Sequence, residues 1–142
     1  MTTTHSTSPV TVSAPARSGG LLVTGLGVAV AAALGATLMG ALLRAIGVGF
    51  ELPDGGESIP LSGFAFVTFV FTMVGLAIAA VLRQRSRHPR TAFVRVAVAL
   101  TALSLVPPFF QDADAGTVTG LVVLHLTAAA IAIPSLARRL TD

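Results

Sequence analysis

The sequence predicts an all-α polytopic transmembrane bundle of four helices with both termini cytoplasmic. Three observations carry that prediction. Hydrophobic residues make up 54% of the 142-residue chain and charged residues only 11%, and the mean hydropathy of +0.87 exceeds that of a soluble domain. Four apolar runs are separated by short segments that hold nearly all of the charge, whereas a soluble bundle spreads charge along its helix faces. The arginines collect on alternate segments, which orients such a bundle.

Residues 1–18, rich in Thr, Ser and Pro, have too little aliphatic content to offset the entropy of ordering and are predicted to be a disordered tail. The domain then runs over 19–142, with spans at about 21–46, 60–82, 91–107 and 117–137. Leu21 to Leu43 is an uncharged run of 23 residues, longer than the roughly 7–15 residues of a signal-peptide core, so a retained helix is expected. It is long enough to cross a hydrocarbon layer of about 30 Å. Gly27, Ala31 and Gly35 fall four apart and so share one face, which reads either as a seat for close packing of another helix or as a chance spacing in an Ala- and Gly-rich run. Arg44 closes this helix.

Phe50 to Pro60, FELPDGGESIP, is a loop broken by Pro53, Gly55 and Gly56 and charged by Glu51, Asp54 and Glu57. Pro60 suits a first helical turn, where its missing N–H costs nothing. The second span carries Phe64, Phe66, Phe69 and Phe71 as lipid-facing or packing residues. Its Thr68 and Thr72 lie four apart, on one face, and are placed to bond their own backbone or a neighbouring helix. Arg83, Arg85, Arg87 and Arg90 then form a basic loop. Arg95 sits one turn inside the third span, about 6 Å deep, within reach of the headgroups by snorkelling. Pro107 and Pro108 stop that helix. The fourth span ends at Arg138 and Arg139, with Pro134 expected to loosen its last turns.

The positive-inside rule places Arg83, Arg85, Arg87, Arg90, Arg138 and Arg139 in the cytoplasm, where they meet lipid headgroups, and places five of the six acids outside. The chain has nine arginines, no lysine and no cysteine. Disulfides and thiolate chemistry are excluded, and nucleic acid is not an expected partner because no stacking aromatics accompany the arginines. Membrane lipids are the expected partners, together with self-association or another membrane protein.

No metallopeptidase, nucleophile-elbow, phosphate-loop or dinucleotide motif is present, so no catalytic residue and no cofactor are expected. The outer acids Glu51, Asp54, Glu57, Asp112 and Asp114 suit hard cations but match no ligand spacing, and no metal site is assigned. One ionisable side chain, His125, lies inside a span. Depth counting places Thr37, Thr68 and Thr101 near its level, a candidate polar layer about 9–14 Å from the outer ends of the helices. Two readings of His125 stand: a proton acceptor or ligand contact, and a neutral imidazole acting as interhelical glue.

With RSRHPRTAF opening the third span, SLVPP closing it and LHLTAAAIAIPSLARR forming the fourth, the chain resembles a family of small four-helix integral membrane proteins of unknown function from actinobacteria. The resemblance covers about Leu21 to Leu140. It rests on Ser104 and Pro107 at the end of the third helix followed by His125 in the fourth. It implies the architecture and assigns no role. The leading expectation is a non-enzymatic structural or interaction protein of the plasma membrane. The alternatives are an oligomeric transport or ligand-binding bundle built on the His125 layer, and a membrane enzyme acting on a lipid-like substrate.

Overall fold

A computed structural model describes residues 18–51, 57–107 and 114–142. Four α-helices follow one another: α1 (Ser18–Ala45), α2 (Leu61–Arg85), α3 (Pro89–Ser104) and α4 (Ala115–Ala137). The predicted tail falls outside the described residues except for Ser18, which is already the first residue of α1.

Three of the four helices, α1, α2 and α4, are long and apolar enough to cross a membrane. The expected third span is shorter than its predicted 91–107. α3 has 16 residues, about 24 Å at 1.5 Å per residue, against a hydrocarbon layer of about 30 Å. Its early stop has a local cause. A residue preceding proline is pushed out of the α region, and Val106 precedes Pro107. The chain tightens there, with Leu105 N–H reaching the carbonyls of Thr101 and Ala102, and Val106 N–H that of Leu103. At the other end Pro89 occupies the first helical turn, which suits its fixed φ.

α1 packs along α2 and α4, and α3 lies against α2 and α4. The direction of each pairing can be read from its glycines. A Cβ at Gly25 would meet Leu76, and one at Gly40 would meet Phe64, so α1 and α2 are antiparallel. A Cβ at Gly35 would meet Ile131 and one at Gly120 would meet Phe50, so α4 is also antiparallel to α1. α2 and α4 therefore run the same way. The chain between Phe93 and Gly120 must travel the length of the bundle to connect them.

Two clusters fill the core. One, at the arginine-rich end, gathers Leu21, Val28, Leu76, Ala79, Phe93, Leu136, Ala137 and Leu140. The other, at the far end, gathers Phe50, Phe64 and Leu124 with Met39, Leu43, Val48, Ile59, Leu61 and Leu121 packed against them. The close-packed face of α1 is not the one that Gly27 and Ala31 share. Gly27 and Ala31 are exposed; the helices instead close on Gly25, Ala29, Ala32, Ala36 and Gly40, all buried. On the outer surface large apolar side chains stand free, among them Val23, Leu34, Leu38, Phe66, Phe71 and Leu103, the inverse of a soluble helix.

Candidate functional site

The helix registers bring Thr37 and Thr68 of the predicted polar layer to one level, since Gly40 faces Phe64 and Gly25 faces Leu76, whereas Gly35 faces Ile131, which leaves His125 more than a turn nearer the Phe50 end. Thr37 of α1, Thr68 of α2 and His125 of α4 each fall, along their own helix, between residues of the two core clusters. Thr101 lies beyond the inner-cluster residues of α3. All four are half-buried. The hydroxyls of Thr37 and Thr101, and that of Thr72 beside Thr68, bond along their own helices rather than across the bundle. Thr37 Oγ1 donates to Ala33 O (2.8 Å), Thr101 Oγ1 to Ala97 O (2.9 Å) and Thr72 Oγ1 to Thr68 O (2.7 Å). Threonine in an apolar helix satisfies its hydroxyl this way at little cost.

His125 follows the same rule, with Nδ1 2.7 Å from the carbonyl of Leu121. A carbonyl only accepts, so Nδ1 carries the proton and a neutral ring keeps a lone pair on Nε2. Among the described residues no three His, Cys, Asp or Glu side chains cluster as metal ligands.

The end where α1 stops and α2 and α4 begin is closed by protein. Phe50 is fully buried, and its ring meets that of Phe64 edge-on at a centroid distance of 4.9 Å, a favoured aromatic geometry. To point inward there Phe50 adopts φ 52°, and Gly47 before it φ 99°. The left-handed region is strained for a bulky side chain, and the buried ring is what holds it. The returning chain pairs Ile59 N–H with Phe50 O at 2.9 Å, beside an isolated antiparallel bridge of Glu51 and Ser58. The Arg44 guanidinium donates to the Ile59 carbonyl, while its Nε is buried without a partner among the described residues.

Asp114 caps α4, its Oδ1 accepting from Gly116 N–H (2.7 Å) and Thr117 N–H (3.1 Å). The nearby Thr117 hydroxyl, then the Thr117 and Gly116 N–H groups, hold the Asp114 carboxyl below its ordinary range. That hydroxyl favours the charge by proximity but is buried with no partner in full hydrogen-bond geometry among the described residues.

The arginine-rich end has one internal carboxylate. Asp142 Oδ1 accepts from Arg90 N–H (2.8 Å) and Thr91 N–H (3.2 Å), and its Oδ2 accepts from Thr91 Oγ1 (2.6 Å). It caps α3 from across the fold, with its charge at the positive end of the helix dipole. The Thr91 hydroxyl first, then the Thr91 and Arg90 N–H groups and the His88 charge, keep Asp142 below the usual carboxylate range. Two open grooves lie at this end. One, of about 370 Å³, is lined by Arg90, Thr91, Val94, Arg95 and Asp142. The other, of about 400 Å³, lies between α1 and α4 and is lined by Thr24, Val28, Ser135, Arg138 and Arg139.

Residues 16–142 match the model of a family of unknown function, DUF6069. The chain belongs to that family. No curated protein and no solved structure matches it. Membership in DUF6069 brings no activity and marks no residue, so the chemistry of the site rests on the side chains themselves. Of the basic residues expected at headgroups, Arg90, Arg138 and Arg139 line grooves, and Arg83, Arg85 and Arg87 stand exposed at and just beyond the end of α2. Sequence reasoning missed two functional placements. Asp114 was findable, since an Asp directly before an apolar run is an N-cap signal. Asp142, which caps a helix 51 residues away, left no local signal.

Proposed function

We propose that the chain is a four-span integral protein of the plasma membrane, with both termini cytoplasmic, that acts by packing with itself or with another membrane protein. The observation that carries this reading is the outer surface. Large apolar side chains stand exposed along all four helices, while the described arginines other than Arg44 lie at one end, as a bilayer requires. A fourth crossing is supported by topology: α2 and α4 run the same way, so the segment containing α3 must return across the bundle. Its 16 residues with the turn after them bridge most of the layer. The Lys-free, Ala- and Arg-rich composition fits the actinobacterial source that the resemblance implies.

The test is extraction directly from native membrane into polymer-bounded discs, followed by mass measurement. Particles holding several copies of the 14.4 kDa chain, or one constant second protein, are expected. Single copies with no companion protein would overturn the reading.

One observation favours a second reading, a ligand- or proton-binding bundle. The Nδ1 bond of His125 to Leu121 O leaves Nε2 of a neutral ring with a lone pair, and the residue lies along α4 between the two core clusters. Neither groove at the arginine-rich end is lined by His125. His125→Gln keeps a hydrogen-bonding group but loses the basic nitrogen. If Gln preserves both stability and cellular phenotype while Ala lowers stability, the ring acts as glue; a lost phenotype with intact stability supports the second reading.

A further inference from the structure

We infer that the groove between α1 and α4 is a binding site for the phosphate of an anionic phospholipid headgroup. The inference rests on the membrane-embedded reading above and adds to it a place and a ligand class.

Charge balance comes first. Seven described arginines, Arg83, Arg85, Arg87, Arg90, Arg95, Arg138 and Arg139, belong to the basic end, and Asp142 is the one acid that the sequence puts there. That carboxylate is engaged by the N-terminus of α3. The remaining positive charge must be balanced from outside the chain. In a bilayer the anions at that level are lipid phosphates, and basic pockets between transmembrane helices are where such headgroups bind.

The two grooves differ in what they offer. Asp142 lines the one beside α3 and repels an anion. The one between α1 and α4 has two guanidinium groups and two hydroxyls, from Thr24 and Ser135, and no carboxylate. Arginine forks and hydroxyl donors match phosphate oxygens, and about 400 Å³ lies in the range of small-ligand sites. The floor is Val28, which is buried.

Below the groove, α1 provides a track for an acyl chain. Thr24, Gly27, Val28, Ala31 and Gly35 share one helical face by their spacing. Gly27 and Ala31 are exposed, and nothing lies within 4 Å of where a Gly27 side chain would begin. Deeper still, Ile131 of α4 lies against Gly35 and closes the track. The small residues Gly27 and Ala31 thus leave open space on the helix face that the groove residues Thr24 and Val28 share.

The experiment reads the anionic lipid kept by the purified full chain. The protein is reconstituted in discs of phosphatidylcholine with one-fifth phosphatidylglycerol, moved to detergent, and examined by native mass spectrometry. Retained phosphatidylglycerol is expected, and the Arg138→Gln, Arg139→Gln double variant should reduce it about thirty-fold, from two arginines near a headgroup. The Arg83→Gln, Arg85→Gln variant removes equal charge outside the groove and should retain lipid within about threefold of the parent. Equal loss in both variants would reduce the effect to net charge and overturn the site, as would retention unaffected by the groove substitutions. Displacement of the lipid by millimolar inorganic phosphate would assign the groove to free phosphate and overturn the lipid assignment. Alkaline carbonate washing of membranes separates the two levels of inference: release of the chain removes the membrane reading itself, whereas a chain that stays embedded but keeps no lipid removes only the site.

Discussion

The two ends of the bundle are finished in opposite ways. Where α1 stops and α2 and α4 begin, the chain closes itself: Phe50 is driven inward against Phe64 and Gly120, the Ile59 carbonyl takes the Arg44 guanidinium, and Asp114 caps α4. At the other end one carboxylate accompanies seven described arginines, and an open groove is lined by two of them. The difference teaches where each end finds its complement. The first is completed by protein, so its substitutions should act on folding. The second, by the proposal above, takes its complement from lipid, so its substitutions should act on lipid binding.

The largest expected effect is at the closed end. Phe50→Ala removes a fully buried ring and should cost about 3–5 kcal/mol of stability, read as a fall in unfolding midpoint in detergent. The Arg138→Gln, Arg139→Gln variant should melt with the parent in zwitterionic detergent. If both melt alike, the contrast between the ends is lost.

A second comparison sets two glycines of one helix against each other. A Cβ at Gly25 would lie 2.3 Å from a buried Leu76 methyl, whereas one at Gly27 meets nothing. Gly25→Ala should cost about 1–3 kcal/mol by overpacking. Gly27→Ala should be neutral, or stabilising by up to about 1 kcal/mol through helix propensity. Equal effects would mean that the helices pack on another face.

The smallest effect concerns Asp142. Its carboxyl is held below the ordinary value of 3.8 in the folded protein, so its contribution is present above that pH and is lost as pH falls through the lower folded value. The protection of the amides at the start of α3, after correction for the intrinsic pH dependence of exchange, should fall as pH drops from about 5 to about 3, and Asp142→Asn should show the lower protection at both. Protection in the parent that does not change with pH would remove the cap.

The helices were readable because each is an uninterrupted apolar run bounded by charge or proline, and the double proline marked the end of α3 to within a turn. Which face packs was not readable. Gly27, Ala31 and Gly35 have the same spacing as Gly25 and Ala29 or Ala32, Ala36 and Gly40, and a helix that is apolar all round gives periodicity nothing to orient. His125, Thr37, Thr68 and Thr101 were recognisable as polar groups inside apolar runs, and counting residues gave a common level, which the helix registers keep for Thr37 and Thr68 but not for His125. That the bonds of Thr37, Thr101 and His125 stay within single helices depends on side-chain rotamers, which spacing does not determine. Phe50 read as an ordinary loop residue because its inward turn needs a positive φ that only the packed ring sustains.

The central claim is that all four helices cross the bilayer with the arginine-rich end inside. The absence of native cysteine allows a direct test with single-cysteine variants at Ser58, Ser86, Ala115 and Thr141 and a membrane-impermeant maleimide on intact cells. Ser58→Cys and Ala115→Cys should label from outside, and Ser86→Cys and Thr141→Cys only after permeabilisation. Labelling of Ser58→Cys with protection of Ala115→Cys would show that α3 does not cross, and the reverse pattern at all four sites would show the bundle inverted.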